Sequence, residues 1–262
     1  MAAAASTEND RPHFLLLPGL SLGNFFSKAP EFRGLIQDLK AESFEFSLLG
    51  ARGNPLPDQS AKQIVHLVRE VEGPIVIVSY SRGSLDALEA IRQMDTEERQ
   101  KIQLWIALQS FFGGSPLFND IGQKPDALHQ GAKFVLSALG VSRALVTELS
   151  SSHRETELDR ARQDLQALVE SIPIHIHMGS HGDRKLAWGY RWLWRVFARQ
   201  HLPLLKETDG ILHREAMRLP HSSSIGGPLE FHWPNLSHHD FSAIPKLVQL
   251  SCSKALSMKG LR

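Results

Sequence analysis

Apolar residues along this chain fall into short, mainly apolar blocks, separated by stretches in which they recur every three or four positions. A short apolar block ended by glycine or proline is typical of a strand buried on both faces of a parallel sheet, and the longer spacing is typical of a helix. The blocks occupy residues 13–17, 44–49, 75–78, 102–108, 172–178 and 229–233. Their alternation with helices predicts an α/β fold with a mostly parallel, doubly wound sheet.

Helical spacing is clear over residues 32–40, and a longer helical stretch covers about 126–171. Residues 1–11 are small and polar, so we expect a disordered N-terminus there. No repeat, low-complexity tract or long linker divides the remainder, and 42% of the 262 residues are hydrophobic. We therefore expect residues 12–262 to form one domain with a sizeable core.

The charge balance and the single cysteine bear on partners and location. The chain has 29 Lys and Arg against 28 Asp and Glu, and this near-neutral balance argues against a nucleic-acid partner, which requires a basic surface. One cysteine, Cys252, cannot form an internal disulfide, which favours a reducing compartment. The first residues lack a basic start followed by a long apolar run, and no apolar run approaches the length of a membrane span. We expect a cytoplasmic protein.

The most informative motif is Ser-Tyr-Ser-Arg-Gly over residues 79–83, directly after the strand at 75–78 and directly before a helix. A turn this tight between strand and helix strains the backbone of its central residue and directs the hydroxyl of Ser81 out above the sheet, at the start of the helix. Small residues two positions before and after that serine let the neighbouring backbone pass. The motif predicts a nucleophilic serine, with a plain helix cap as the alternative.

Five segments of the sequence resemble, in the same order, the α/β-hydrolases and more narrowly the bacterial triacylglycerol lipases and esterases. They are the segment 17–20 after the first strand, the segment 79–83, the segment 109–117 after the next strand, and the loops 208–212 and 235–241. The resemblance departs from the family pattern at Pro18, where histidine is usual, and at Ser79, where glycine is usual. It covers residues 13–245 in patches, and residues 120–205 match no part of the pattern.

The resemblance implies a Ser-His-Asp triad with Ser81 as nucleophile and His238 as base, although the adjacent His239 also lies on the required loop. Two residues are candidates for the acid. Asp183 follows a strand end, and Asp209 stands in an Asp-Gly-Ile-Leu sequence similar to the lipase signature. We favour Asp209 because its flanking sequence is the more specific, with an ordinary Asp-Gly turn as the alternative.

The same resemblance implies an oxyanion hole formed by the backbone N–H groups of Leu20 and Arg82. Tyr80, Phe111, Phe112 and Trp192 are candidate substrate-binding residues, although paired phenylalanines after a strand are more often core. Trp192 lies in a segment rich in Trp and Arg over residues 184–200, within the unmatched part at 120–205. We expect helical cap or lid elements there, with an amphipathic helix packed on the core as the equal alternative.

Three histidines near the fifth strand, His175, His177 and His181, invite a metal-site interpretation. No cysteine accompanies them and the only acidic residue close by is Asp183, so we expect ordinary strand and loop histidines. We expect no metal and no cofactor.

Together these features predict a serine hydrolase that cleaves carboxylic esters, acting on a small-molecule ester with an aliphatic or lipid-like acyl chain and in transient contact with a lipid surface. Two alternatives remain. A thioesterase or acyltransferase would use the same triad, and a non-catalytic binding protein would need no activated serine.

Overall fold

One sheet of six parallel strands, with helices on both faces, organises the chain. The computed structural model describes residues 11–20, 29–49, 54–123, 137, 140–180, 191–192, 195–196, 199–219 and 228–259. The strands are β1 (His13–Leu17), β2 (Phe46–Leu48), β3 (Ile75–Tyr80), β4 (Ile102–Leu108), β5 (Ile174–Ser180) and β6 (Leu229–Pro234). They lie in the order β2-β1-β3-β4-β5-β6, and every neighbouring pair is parallel. The predicted α/β class and parallel sheet are confirmed.

Helices connect the strands. They are α1 (Arg33–Ala41), α2 (Pro57–Glu70), α3 (Gly83–Gln93), α4 (Thr96–Lys101), α5 (Pro116–Gln123), α6 (Arg143–Glu148), α7 (Ser151–Arg160), α8 (Arg162–Ser171) and α9 (Ile244–Lys259). Short 3-10 turns occur at Pro30–Phe32, Arg199–Glu207, Arg214–Met217 and Phe241–Ala243. Among the described helices, none is long and apolar enough to cross a bilayer.

Alternate residues of the central strands face two separate hydrophobic cores, as the period of a strand requires. In β1, Leu15 and Leu17 belong to the larger core, which lies beneath α2, α3 and α5–α8. Phe14 and Leu16 belong to the opposite core, beneath α1 and α9. With both faces covered, the sheet needs the almost wholly apolar strands from which it was predicted.

The region between β4 and β5 differs from the prediction. Within the described residues, the single long helical stretch is divided into α6, α7 and α8, because Ser142 and Ser150 accept hydrogen bonds from backbone N–H groups at the starts of α6 and α7. Strand β5 also begins later than predicted, after Pro173, which has no N–H to donate.

The strand order reverses at β1 and β3, which are neighbours in the sheet although β2 lies between them in sequence. In open α/β sheets the crevice at the carboxyl ends of such strands is where ligands bind. The loop after β1 and the turn after β3 meet there.

Candidate active site

Ser81 occupies the turn between β3 and α3. Its φ of 50° lies in the left-handed region, which is unfavourable for a residue with a Cβ atom. The turn is held because the Ser81 N–H donates to the carbonyl of Leu108 at the end of β4, at 2.9 Å. Gly83 packs against the carbonyls of Leu17 and Pro18, where a side chain would not fit. The close approach of the β1 loop thus requires a residue without a side chain two positions after the serine.

Ser79 stands where the resembled family has glycine, and its hydroxyl is used inside the core. Its Oγ accepts a hydrogen bond from Trp105 Nε1 at 2.8 Å and lies 3.2 Å from Ser84 Oγ. A serine fits here because its polar atom has partners.

Three side chains from distant parts of the chain form one hydrogen-bonded series. Ser81 Oγ lies 2.9 Å from His238 Nε2, and His238 Nδ1 lies 2.6 Å from Asp209 Oδ2. All three residues are buried. A carboxylate accepts and cannot donate, so the neutral imidazole carries its proton on Nδ1 and leaves Nε2 to accept the hydroxyl proton of Ser81.

The loop around Asp209 fixes the direction of its carboxylate. Oδ1 accepts hydrogen bonds from the backbone N–H groups of Ile211 and Leu212, at 2.9 and 2.8 Å. Thr208 Oγ1 donates to the Leu212 carbonyl at 2.7 Å and accepts from the Gly210 N–H at 3.1 Å. With Oδ1 held by two amides, Oδ2 is turned toward the imidazole. The alternative acid, at position 183, lies outside the described residues.

The loop that carries His238 is held from two sides. Its own N–H donates to the Asp209 carbonyl at 2.8 Å, and Gln109 Nε2 donates to the carbonyl of Ser237 at 2.7 Å. The Gln109 side chain crosses the end of β5 at Gly179, where a Cβ atom would lie 2.8 Å from Nε2. Gln109 itself is buried, with a φ of 46°.

Our sequence reasoning gave Gln109 no role. The available signal was a lone amide side chain directly after a buried strand that neighbours the serine strand.

The two residues predicted to supply oxyanion donors lie on either side of the strand-order reversal. Leu20 ends the described part of the β1 loop and is half-buried, with its side chain against the larger core. Arg82 follows the serine directly, at the N-terminal end of α3, where the helix dipole places partial positive charge. Their oxyanion role stays a prediction.

The side chain of Arg82 turns away into the protein and ties the turn to α2. Its guanidinium donates to the Pro55 carbonyl at 2.5 Å, to Ser60 Oγ at 3.2 Å and to Asp86 Oδ1 at 3.0 Å. Burial raises the pKa of Asp86 to about 6, although the guanidinium opposes that rise. The buried pair anchors the start of α3.

The four predicted substrate-binding residues have different surroundings. Tyr80 is buried, with its ring 5.4 Å from the His238 ring and 5.6 Å from the Phe241 ring, measured between centroids. Phe111 and Phe112 are buried in the larger core, which agrees with the core alternative for that pair.

Trp192 is 43% exposed, but most of the predicted lid segment 184–200 lies outside the described residues.

The histidines of β5 belong to a separate buried cluster. His177 Nε2 lies 2.7 Å from Ser251 Oγ, and Trp233 Nε1 donates to His177 Nδ1 at 3.0 Å. Burial lowers the pKa of His177 to about 3 and that of His175 to about 4. In the described part of the chain, no three His, Cys, Asp or Glu side chains are grouped to hold a metal ion. His181 lies outside it.

Comparison with known proteins places the fold. No protein-family model matches the sequence, and no curated protein matches it. Among solved structures, a metagenomic carboxyl esterase is 17% identical with a TM-score of 0.65, covering 94% of this chain and 76% of its own. A Bacillus licheniformis lipase in mature form is 14% identical with a TM-score of 0.66, covering 95% of both chains. A Legionella pneumophila phospholipase is 13% identical with a TM-score of 0.54, covering 79% of this chain and 44% of its own.

At these identities the likeness concerns the fold. The chain has an α/β-hydrolase fold and resembles bacterial esterase and lipase structures, which confirms the resemblance and the fold class expected from the sequence.

Proposed function

We propose that this protein is a serine hydrolase of carboxylic esters, with Ser81 as nucleophile, His238 as general base and Asp209 as the acid that orients the base. The observation that carries the proposal is the series Ser81 Oγ–His238 Nε2–His238 Nδ1–Asp209 Oδ2, with distances of 2.9 and 2.6 Å. Nucleophile, base and orienting carboxylate in hydrogen-bond contact are the arrangement that acyl transfer by serine requires.

In the first half of the reaction, Ser81 Oγ attacks the ester carbonyl carbon while its proton passes to His238 Nε2. The imidazolium that forms is stabilised by the Asp209 carboxylate. The negative charge on the carbonyl oxygen is held by the N–H groups of Leu20 and Arg82. When the tetrahedral intermediate collapses, the bond to the alkoxy oxygen breaks, and that oxygen takes the proton from Nε2 and leaves as the alcohol.

In the second half, a water molecule gives a proton to His238 Nε2 and attacks the acyl carbon. Collapse of this second intermediate breaks the bond to Ser81 Oγ, which regains its proton from Nε2 as the carboxylic acid departs. All proton transfers use one histidine nitrogen, so the cycle needs no cofactor.

The structural neighbours support an ester as the substrate, since their names are carboxyl esterase, lipase and phospholipase. An aliphatic or lipid-like acyl chain is the class we propose. The half-exposed Trp192 is the described residue best suited to a lipid surface, because indole rings favour that boundary. A cytoplasmic location remains a prediction from the sequence.

The test compares wild type with Ser81→Ala for hydrolysis of short p-nitrophenyl esters and for labelling by a fluorophosphonate probe. We expect kcat to fall by about 10⁶-fold and labelling to disappear, because both require the serine oxygen as nucleophile. Wild type that neither turns over nor labels would overturn the proposal. Faster cleavage of CoA thioesters than of matched oxyesters would assign the triad to thioester chemistry.

The matched control is Ser251→Ala. Ser251 is also buried and also hydrogen-bonded to a histidine, at 2.7 Å. It should keep wild-type kcat and labelling, because Trp233 Nε1 donates to Nδ1 of His177, so that the ring carries its proton on Nε2 and cannot accept one from Ser251 there.

A further inference from the structure

A second carboxyl group lies at the candidate active site, in addition to that of Asp209. Glu31 stands on the 3-10 turn Pro30–Phe32 that leads into α1, and it is 6% exposed. Among the described residues, no Lys or Arg forms an ion pair with it. Burying a carboxyl group without a cation is unfavourable unless hydrogen bonds compensate, so its contacts need an explanation.

The direct contact of Glu31 is with the loop that follows β1. The backbone N–H of Gly19 donates to Glu31 Oε1 at 2.8 Å. Gly19 in turn lies against the nucleophile, because a Cβ atom built on it would be 3.3 Å from Ser81 Cβ and 3.1 Å from the Tyr80 ring. One side chain therefore joins the start of α1 to the loop that rests on the serine.

The electrostatic surroundings of the same carboxyl group include the base, His238. Burial raises the pKa of Glu31, while hydrogen bonds from its own backbone N–H and that of Gly19, and the charge on His238, oppose the rise. Glu31 is thus hydrogen-bonded to the β1 loop and coupled electrostatically to the base.

Another buried glutamate shows what a purely structural role looks like in this protein. Glu98 is 5% exposed, accepts a hydrogen bond from the Asp95 N–H at 2.9 Å and pairs with Arg69 at 2.5 Å. Its contacts close a helix N-terminus, within the capping box of α4. Glu31 also accepts a backbone hydrogen bond, but from a loop that touches the nucleophile, and no arginine in the described part of the chain pairs with it.

We propose that Glu31 is a positioning residue for the oxyanion hole. By accepting a hydrogen bond from the N–H of Gly19, it fixes the loop that carries the next amide, that of Leu20. This amide is the proposed donor to the negatively charged carbonyl oxygen. The inference rests on the proposed function. What matters in this role is the hydrogen-bond acceptor, because the carboxyl group acts through its contact with the Gly19 N–H. A neutral acceptor of the same shape should therefore replace it.

The test compares Glu31→Gln, which keeps the acceptor oxygen, with Glu31→Leu, which removes it. For Glu31→Leu we expect kcat to fall about 10- to 100-fold with KM within about threefold of wild type, since a misplaced oxyanion donor weakens transition-state binding selectively. Fluorophosphonate labelling should slow similarly. Glu31→Gln should keep kcat within about threefold.

A second readout is independent of turnover. By NMR, hydrogen exchange of the Gly19 amide should be at least about tenfold faster in Glu31→Leu and unchanged in Glu31→Gln, because exchange requires this hydrogen bond to open. Glu98→Leu is the matched control: it should lower stability but leave kcat and the exchange of the Gly19 amide unchanged.

Three results would overturn the inference: wild-type kcat in Glu31→Leu, a loss above tenfold in Glu31→Gln, or unchanged exchange of the Gly19 amide in Glu31→Leu. The Gln variant keeps the test decisive if the Leu variant fails to fold. Failure of the proposed function would look different, since wild type itself would then neither hydrolyse esters nor label.

Discussion

The described residues include two buried serine–histidine pairs, one at the candidate active site and one beneath α9. Ser81 Oγ is 2.9 Å from His238 Nε2, and Ser251 Oγ is 2.7 Å from His177 Nε2. Judged by residue types, burial and distance, the second pair is as good a candidate for a nucleophile and its base as the first. The pairs differ in what contacts the other nitrogen of each ring.

The group that contacts Nδ1 of each histidine decides which ring nitrogen carries the proton. Asp209 can only accept, so His238 holds its proton on Nδ1 and offers Nε2 as a base. Trp233 Nε1 can only donate, so His177 must accept on Nδ1, and its own proton lies on Nε2, directed at Ser251. The second histidine is therefore a donor to its serine, and burial keeps it neutral. Whether a serine–histidine contact is a candidate for catalysis therefore depends on the group that contacts the other nitrogen of the histidine ring.

Among the substitutions that test this comparison of the two pairs, the largest expected effect is from Asp209→Asn, which makes the first pair resemble the second. An asparagine amide can donate to Nδ1, which moves the imidazole proton to Nε2 and leaves no base for Ser81. We expect kcat to fall about 10⁴-fold, about 5.4 kcal/mol in activation free energy, with the fold retained. Steady-state kinetics and circular dichroism check this.

Asp183→Asn is the comparison that decides the acid, because position 183 was the alternative from the sequence. It should keep kcat within a few-fold of wild type. If it lost orders of magnitude while Asp209→Asn did not, the assignment of the acid would be wrong.

The next effect concerns the loop that presents the base. Gln109→Leu removes the hydrogen bond to the Ser237 carbonyl and lets His238 shift relative to Ser81. We expect kcat to fall about 10- to 100-fold, about 1.4 to 2.7 kcal/mol, because small displacements of a catalytic group are costly. Gln103→Leu, at an exposed position of the same strand, is the control. Equal kcat in the two variants would show that Gln109 does not position the base.

The buried His177 of the second pair predicts how the stability of the protein depends on pH. With its pKa lowered from 6.5 to about 3, His177 stays neutral in the folded protein while the unfolded chain takes up a proton below pH 6.5. The contribution of His177 to the free energy of unfolding is therefore fully present above about pH 6.5. It falls as pH drops toward 3, by about 1.4 kcal/mol for each pH unit. His175 contributes in the same direction, so the test is the difference between wild type and His177→Gln.

Urea unfolding at several pH values measures that difference. The variant should have lower stability at neutral pH, because the contacts of the ring are lost, and a shallower decline toward acid. Parallel pH curves for the two proteins would contradict the neutral, buried state of His177.

The turn that carries Ser81, the proposed nucleophile, could be predicted from sequence because its setting is local. A buried strand, a tight turn and a helix follow one another around Ser81, and each has its own pattern. The strands of the sheet were predictable for the same reason, since burial on both faces leaves continuous apolar blocks. His238 required the family resemblance as well, because its position depends on a loop after the last strand.

The supporting residues could not be predicted, because their partners are set by tertiary structure. Gln109 reaches Ser237 across 128 positions of sequence, and Glu31 contacts Gly19 across 12. A lone glutamine or glutamate carries no pattern that names such a partner. The choice between Asp209 and position 183 stayed open in the sequence for the same reason. Each position has a sequence context that suits the acid, and only the folded chain shows which residue lies 2.6 Å from the histidine.

The smallest expected effect comes from changing only the group that contacts Nδ1 of His177 in the second pair. Trp233→Phe removes the indole N–H that donates to His177 and keeps an aromatic ring beside the imidazole. We expect a loss of about 1 kcal/mol in unfolding free energy, the usual worth of one hydrogen bond, and unchanged kcat at Ser81. Nitrogen-15 NMR of the imidazole should show whether the proton leaves Nε2 once Nδ1 lacks a donor. Even then Ser251 should not react with the fluorophosphonate, because removing a donor supplies no carboxylate to stabilise an imidazolium. Labelling of Ser251 in this variant would mean that the position of the proton is enough to activate a buried serine here, and that the carboxylate of Asp209 does less than the comparison assigns to it.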